Sequence, residues 1–110
     1  LRSTANAFAN AQSACFVCDR DRIFRAVNRA FIEMFDVRDE EAALGRAFEE
    51  LMPDEPLPSF FNRALAGEQV SYRIEADTDT QDVAEVEIQM VPDLQGKDKV
   101  LGVVGSILRV

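Results

Sequence analysis

The hydrophobic period of this chain changes once, and that change constrains the fold more than any other feature. Between Val27 and Leu65 the apolar residues recur at helical spacing. Val27, Ala30, Phe31, Met34 and Phe35 stand at i, i+3, i+4, i+7 and i+8, and Leu57, Phe60, Phe61, Ala64 and Leu65 repeat the stripe. From Glu68 onward the period is two. Val70, Tyr72 and Ile74 alternate with polar residues, and Ala84, Val86, Ile88 and Met90 alternate with Glu85, Glu87 and Gln89. Such alternation predicts strands with one buried and one wet face. Val100 to Val110 is a long apolar run, which predicts a central strand.

Local signals place the remaining elements. Thr4 can cap a short helix in residues 1–12, with Ala5, Phe8 and Ala9 on one narrow face that must pack outside its own core. Cys15 to Asp19 and Ile23 to Val27 read as a hairpin around Arg20-Asp21-Arg22, a turn that lacks glycine. Asn28 and Asp39 are helix caps, Gly45 and Gly67 suit helix ends, and Pro53 stops the turn marked by Phe48, Leu51 and Met52. Ser59 is the expected cap of the helix that ends at Gly67. Asp77 to Asp82 reads as a polar loop, and Pro92 to Asp98 as a turn. The order is helix, two strands, several short helices, three strands. Without regular crossovers the sheet is expected to be antiparallel, with helices over one face, which is an α+β domain.

At 110 residues the chain fits one domain, and 47% hydrophobic with 29% charged residues describes a globular one. A single core can hold it without disulfide or metal. Twelve Lys and Arg against 20 Asp and Glu give a net charge of −8, so nucleic acid is not an expected direct partner. No apolar run reaches 18 residues and no signal peptide stands at the start. The expectation is a cytoplasmic protein without direct membrane contact. The first residue is Leu, so the chain is expected to be an excised piece of a longer one.

The absence of histidine removes the commonest general base, zinc ligand and haem ligand. None of the five glycines builds a phosphate loop. Cys15-Phe16-Val17-Cys18 spells CxxC, but residues three apart on a strand point to opposite faces, so the thiols are expected to be free and to bind no metal. The acids of 36–55 (Asp36, Asp39, Glu40, Glu41, Glu49, Glu50, Asp54, Glu55) could supply paired carboxylates to a small enzyme. No nucleophile or base stands near, and a solvated helix face explains them.

Several segments resemble the PAS sensory domain in order and spacing. Phe16-Val-Cys-Asp19 is similar to the family's first strand with its terminal Asp. Ile23 to Phe31 is similar to the second strand running into "VNxAF", and Glu40 to Arg46 to the "EEALGR" segment. Phe60 to Gly67 is similar to the connector helix, and Val100 to Ile107 to the Gly-rich last strand. The resemblance covers residues 13–110, with 1–12 as a preceding helix. It implies a five-stranded antiparallel sheet in order 2-1-5-4-3 with short helices cupping one face. It implies a non-catalytic sensor module of a histidine kinase, a cyclic-dinucleotide enzyme or a transcription regulator. It also implies a homodimer through the N-terminal helix, with Ala5, Phe8 and Ala9 in contact. An interaction domain without ligand is the alternative.

The family's cofactors are not expected. Phe48 stands in place of the reactive Cys of flavin-binding members, Ile107 in place of their Gln, and haem has no histidine ligand. Applied to this sequence, the family's strand alternation points Phe16, Cys18, Val86, Ile88, Val103, Gly105 and Ile107 inward. Phe31, Met34, Phe35, Phe48 and Phe61 join them from the helices. The expected pocket is small and apolar, has no cation unless Arg25 turns inward, and has space at Gly105.

Overall fold

The computed structural model describes residues 13–77 and 83–109. Five strands form one antiparallel sheet: β1 (Ala14–Asp19), β2 (Phe24–Val27), β3 (Val70–Asp77), β4 (Val83–Gln95) and β5 (Lys99–Arg109). Their order is β2-β1-β5-β4-β3, so the apolar run of β5 lies in the middle. Between β2 and β3 come four helices: α1 (Arg29–Met34), α2 (Glu40–Ala43), α3 (Phe48–Leu51) and α4 (Leu57–Leu65). They cover one face of the sheet, and the buried residues of both layers form one core. The expected fold is the observed one. The expected N-terminal helix, with Ala5, Phe8 and Ala9, and most of the 77–82 loop lie outside the described residues.

Three of the four helices begin where the sequence supplies a side-chain acceptor. Asn28 caps α1, its Oδ1 accepting from the Phe31 N–H at 3.0 Å, and Asp39 caps α2 through Ala42 at 2.9 Å. In α3 the Glu50 carboxylate reaches back to the Ala47 N–H at 2.8 Å. The start of α4 corrects the expectation. The helix opens at Leu57 after Pro56, and Ser59 lies within it, donating its hydroxyl to Glu55 at 2.6 Å. Proline in the first turn gives up an N–H that has no helical partner there, so the helix starts earlier than the serine.

The β4–β5 hairpin is also longer than its sequence suggests. Pro92 is not in a turn but in β4, paired with Val103, and the reversal is confined to Gly96-Lys97-Asp98. The first pair of β3 is Val70 with Met90, so at Pro92 one side of β4 is an open edge. A residue without an N–H is tolerated in that position.

The β1–β2 turn solves its lack of glycine with an arginine. Arg22 adopts φ +69°, the left-handed region that most side chains avoid. A register shift next to Cys18 then leaves Arg25 unpaired with β1, since Val17 faces Ala26 and Cys18 faces Phe24. The shift turns both Phe24 and Val27 into the core and leaves Arg25 outside.

Candidate functional site

The helix-side face of the sheet is lined by phenylalanine. Phe16 of β1 meets Phe24 edge-on with ring centroids 5.8 Å apart, and lies 5.9 Å from Phe31 and 5.8 Å from Phe48. Phe31 stacks on Phe35 at 4.5 Å, and Phe48 meets Phe61 of α4 at 4.6 Å. Edge-on and offset arrangements of this kind are favoured by the ring quadrupole. Phe16, Cys18, Phe31, Phe48, Phe61, Val86, Ile88, Val103 and Ile107 are all buried together, with Met34 and Phe35 half-buried at the rim. Phe24 belongs at the centre of this cluster and was not among the sequence candidates. Only the register shift next to Cys18 turns it inward, and strand alternation alone carries no sign of that shift.

Gly105 does not leave a space. A Cβ built there would stand 2.1 Å from Cζ of Phe16 and 2.3 Å from Cε2. The glycine marks a close approach, as a mid-strand glycine often does, but the approaching group is the chain's own ring. The expected room for a ligand at this position is therefore taken by Phe16.

The expected lack of a cation is also corrected. Arg25 points outward, its Nε donating to Asp19 at 2.6 Å with the side chain 63% exposed. Arg22 turns in. Its guanidinium carbon lies 4.5 Å from the centre of the Phe61 ring and 5.9 Å from that of Phe48. Its Nε donates to Glu49 of α3 and its Nη1 to Asn62 of α4, and the side chain is only 22% exposed. The left-handed turn aims this side chain under the helices. The turn backbone holds the same region, with the Phe48 N–H donating to the Arg22 carbonyl at 2.7 Å.

Cys18 lies at the inner end of this site. Burial pushes its thiol up to about 12, the Asp19 charge adds to the rise and Arg22 opposes it. Cys15 is half-buried on the other face, and neither thiol is bridged. Among the described residues no cluster of three or more His, Cys, Asp or Glu side chains is arranged to hold a metal.

Asn28 joins the site to the strands. Besides capping α1, its Oδ1 accepts from the Cys15 N–H at 2.9 Å and its Nδ2 donates to the Ser13 carbonyl at 2.9 Å. The outer sheet face is different in character. Cys15, Val17, Val104 and Ser106 are half-buried there, and Leu108 is 46% exposed. Ser13, Glu87, Gln89, Ser106 and Leu108 line a shallow groove of about 190 Å³ on this face.

A family model described as PAS fold matches residues 8–110. No curated protein matches the chain. Among solved structures, the PAS domain of a protein from Colwellia psychrerythraea is similar at TM-score 0.76 and 18% identity, over 99% of this chain and 95% of that one. The Vibrio cholerae VqmA dimer is similar at TM-score 0.81 and 13% identity, over 100% of this chain and 51% of that one. The PAS domain of Bordetella pertussis BvgS is similar at TM-score 0.74 and 15% identity, over 99% and 85%. The chain thus spans about half of the VqmA chain it resembles.

Proposed function

The chain belongs to the PAS family, and from that premise we propose that it is a non-catalytic sensory module of a larger signalling protein. A signal acts on the phenylalanine cup beneath the helices, and it leaves through the outer sheet face, where two copies of the chain meet. The observation that carries this reading is the division of β1 and β5. Phe16, Val103 and Ile107 face the aromatic core, while their neighbours Val17, Val104, Ser106 and Leu108 face outward. A shift of an inward side chain is one peptide away from the outer face, and in a packed core such shifts move neighbouring backbone rather than vanish.

The outer face supports a second copy as its partner. It presents the half-buried Val17 and Val104 and the exposed Leu108, with Arg73 and Glu87 paired at 3.6 Å on the same face. Ser13, the first described residue, lines the groove on this same face. VqmA is described as a dimer whose conformation shifts without target DNA. For this chain the charge of −8 favours a protein partner over direct contact with DNA. The output domain is a histidine kinase, a cyclic-dinucleotide enzyme or a transcription regulator elsewhere in the full protein.

Fusing the chain to the catalytic core of a histidine kinase tests the reading. Autophosphorylation is expected to change when Val104→Glu is introduced on the outer face. Equal activity with and without the substitution would contradict it.

A further inference from the structure

Of the arginines whose side chains are described, Arg22 is drawn in against the aromatic cluster, while the others that pair with acids are 44% to 87% exposed. We propose that Arg22 recognises the carboxylate of an apolar acid admitted to the cup, and that Glu49 occupies the ligand's place in its absence. The proposal rests on the sensory reading above and names the class of its ligand.

The geometry at Arg22 supplies each part of the argument. A guanidinium is a planar fork of five N–H donors that matches a carboxylate edge. Here Nε serves Glu49 and Nη1 serves Asn62, and Nη2 has no partner among the described residues. The plane rests on Phe61, where the cation gains from the ring face as it loses water. A cation withdrawn from water in this way demands an anionic partner. The partner it has is replaceable. Glu49 is 41% exposed and sits on a helix of four residues, so its carboxylate can turn out to solvent at small loss. Asn62, on the longer α4, stays to orient the fork.

The walls set the rest of the ligand. Phe48 and Phe61 flank the guanidinium, and the core behind them is apolar. One cation against phenylalanine suits a monocarboxylate with an alkyl or aryl body. A dicarboxylate would press its second charge against the rings without a counter-ion. Phe16 fills the space at Gly105, so no room for the ligand body lies there. Exchanging Glu49 for a ligand carboxylate removes the side-chain tie between the β1–β2 turn and α3. The bond from the Phe48 N–H to the Arg22 carbonyl keeps the start of α3 in place, so room for the ligand body comes from movement of the Phe48 and Phe61 rings, in an open form of the cup that the ligand selects.

Isothermal titration of the chain with octanoate, and with octanol as the uncharged probe of the same length, tests this. Octanoate is expected to bind the wild type and octanol to bind more weakly. Glu49→Gln removes the competing carboxylate, so octanoate should bind about tenfold tighter, with octanol affected less. Arg22→Gln should abolish the preference for octanoate. If both probes bind equally and neither substitution changes their ratio, the cup reading stands and the role of Arg22 falls. If neither probe binds the wild type or Glu49→Gln, the proposal is overturned, while the relay through the outer face keeps its own test in self-association.

Discussion

The ring of Phe16 lies over Gly105 so closely that no side chain can be added to the glycine without moving the ring. The two residues are paired across β1 and β5, and the built Cβ would stand 2.1 Å from the ring. Phe16 cannot step aside, because Phe24, Phe31 and Phe48 surround it. Gly105→Ala is therefore expected to cost about 1–3 kcal/mol, the usual range for overpacking a dense core. Phe16→Leu in the same chain should recover part of that loss, because the shorter side chain vacates the clash. Urea denaturation of the two single variants and the double variant measures the coupling. Additive losses would mean that the two residues do not share this space.

Asn28 holds three backbone groups at the junction of β1 and α1. Asn28→Ala removes a helix cap and strands the Cys15 N–H. We expect a loss of about 2–4 kcal/mol, combining a cap with an unpaired buried donor. Chemical denaturation checks this, and a loss below about 0.5 kcal/mol, the range of an ordinary surface change, would contradict it.

Asp19 organises the β1–β2 turn, its carboxylate accepting from the Asp21 N–H at 2.8 Å, the Ile23 N–H at 3.1 Å and Arg25 at 2.6 Å. Partial burial pushes its carboxyl upward, but the Ile23 amide, Arg25 and the Asp21 amide outweigh that and hold it below its ordinary value of 3.8. A depressed carboxyl stabilises the fold above its unfolded value and loses that contribution as pH falls through the folded one. The stability gap between wild type and Asp19→Asn should be full at neutral pH and shrink as the pH drops below the ordinary carboxylate range. A gap that stays constant down to pH 3 would show that the charge contributes nothing.

Cys18 is fully buried and its thiol is pushed up to about 12, whereas Cys15 is half-buried on the outer face. The thiolate is the reactive form, so Cys18 should resist iodoacetamide near pH 8 until the chain unfolds. Mass spectrometry of native and denatured samples distinguishes the two thiols. Rapid native labelling of Cys18 would contradict the packing described here.

The antiparallel sheet and its helix-covered face were legible because period-two alternation and cap residues are local signals, whereas the strand order and the inward set on β1, β4 and β5 came from the resemblance to the PAS family. Asn28 and Asp39 cap the helices they were expected to cap. What stayed hidden depends on contacts between distant segments. Phe24 turns inward only because of the register shift opposite Cys18, and Pro92 stays in a strand only because β3 begins at Val70. Gly105 reads as a gap in one strand and proves to be a seat for Phe16 from the next. Arg22 looks like an ordinary turn residue until its left-handed backbone aims it under α3 and α4.

The proposed coupling of the core to the outer face of the sheet requires self-association that responds to the core. Sedimentation equilibrium on wild type, Val104→Glu and Phe61→Leu tests it most directly. The expected results are a dimeric wild type, a folded monomer for Val104→Glu, and a shifted dimer constant for Phe61→Leu, whose substitution lies wholly on the helix side. A wild type that remains monomeric at millimolar concentration, or a folded Phe61→Leu with the unaltered constant, would contradict it.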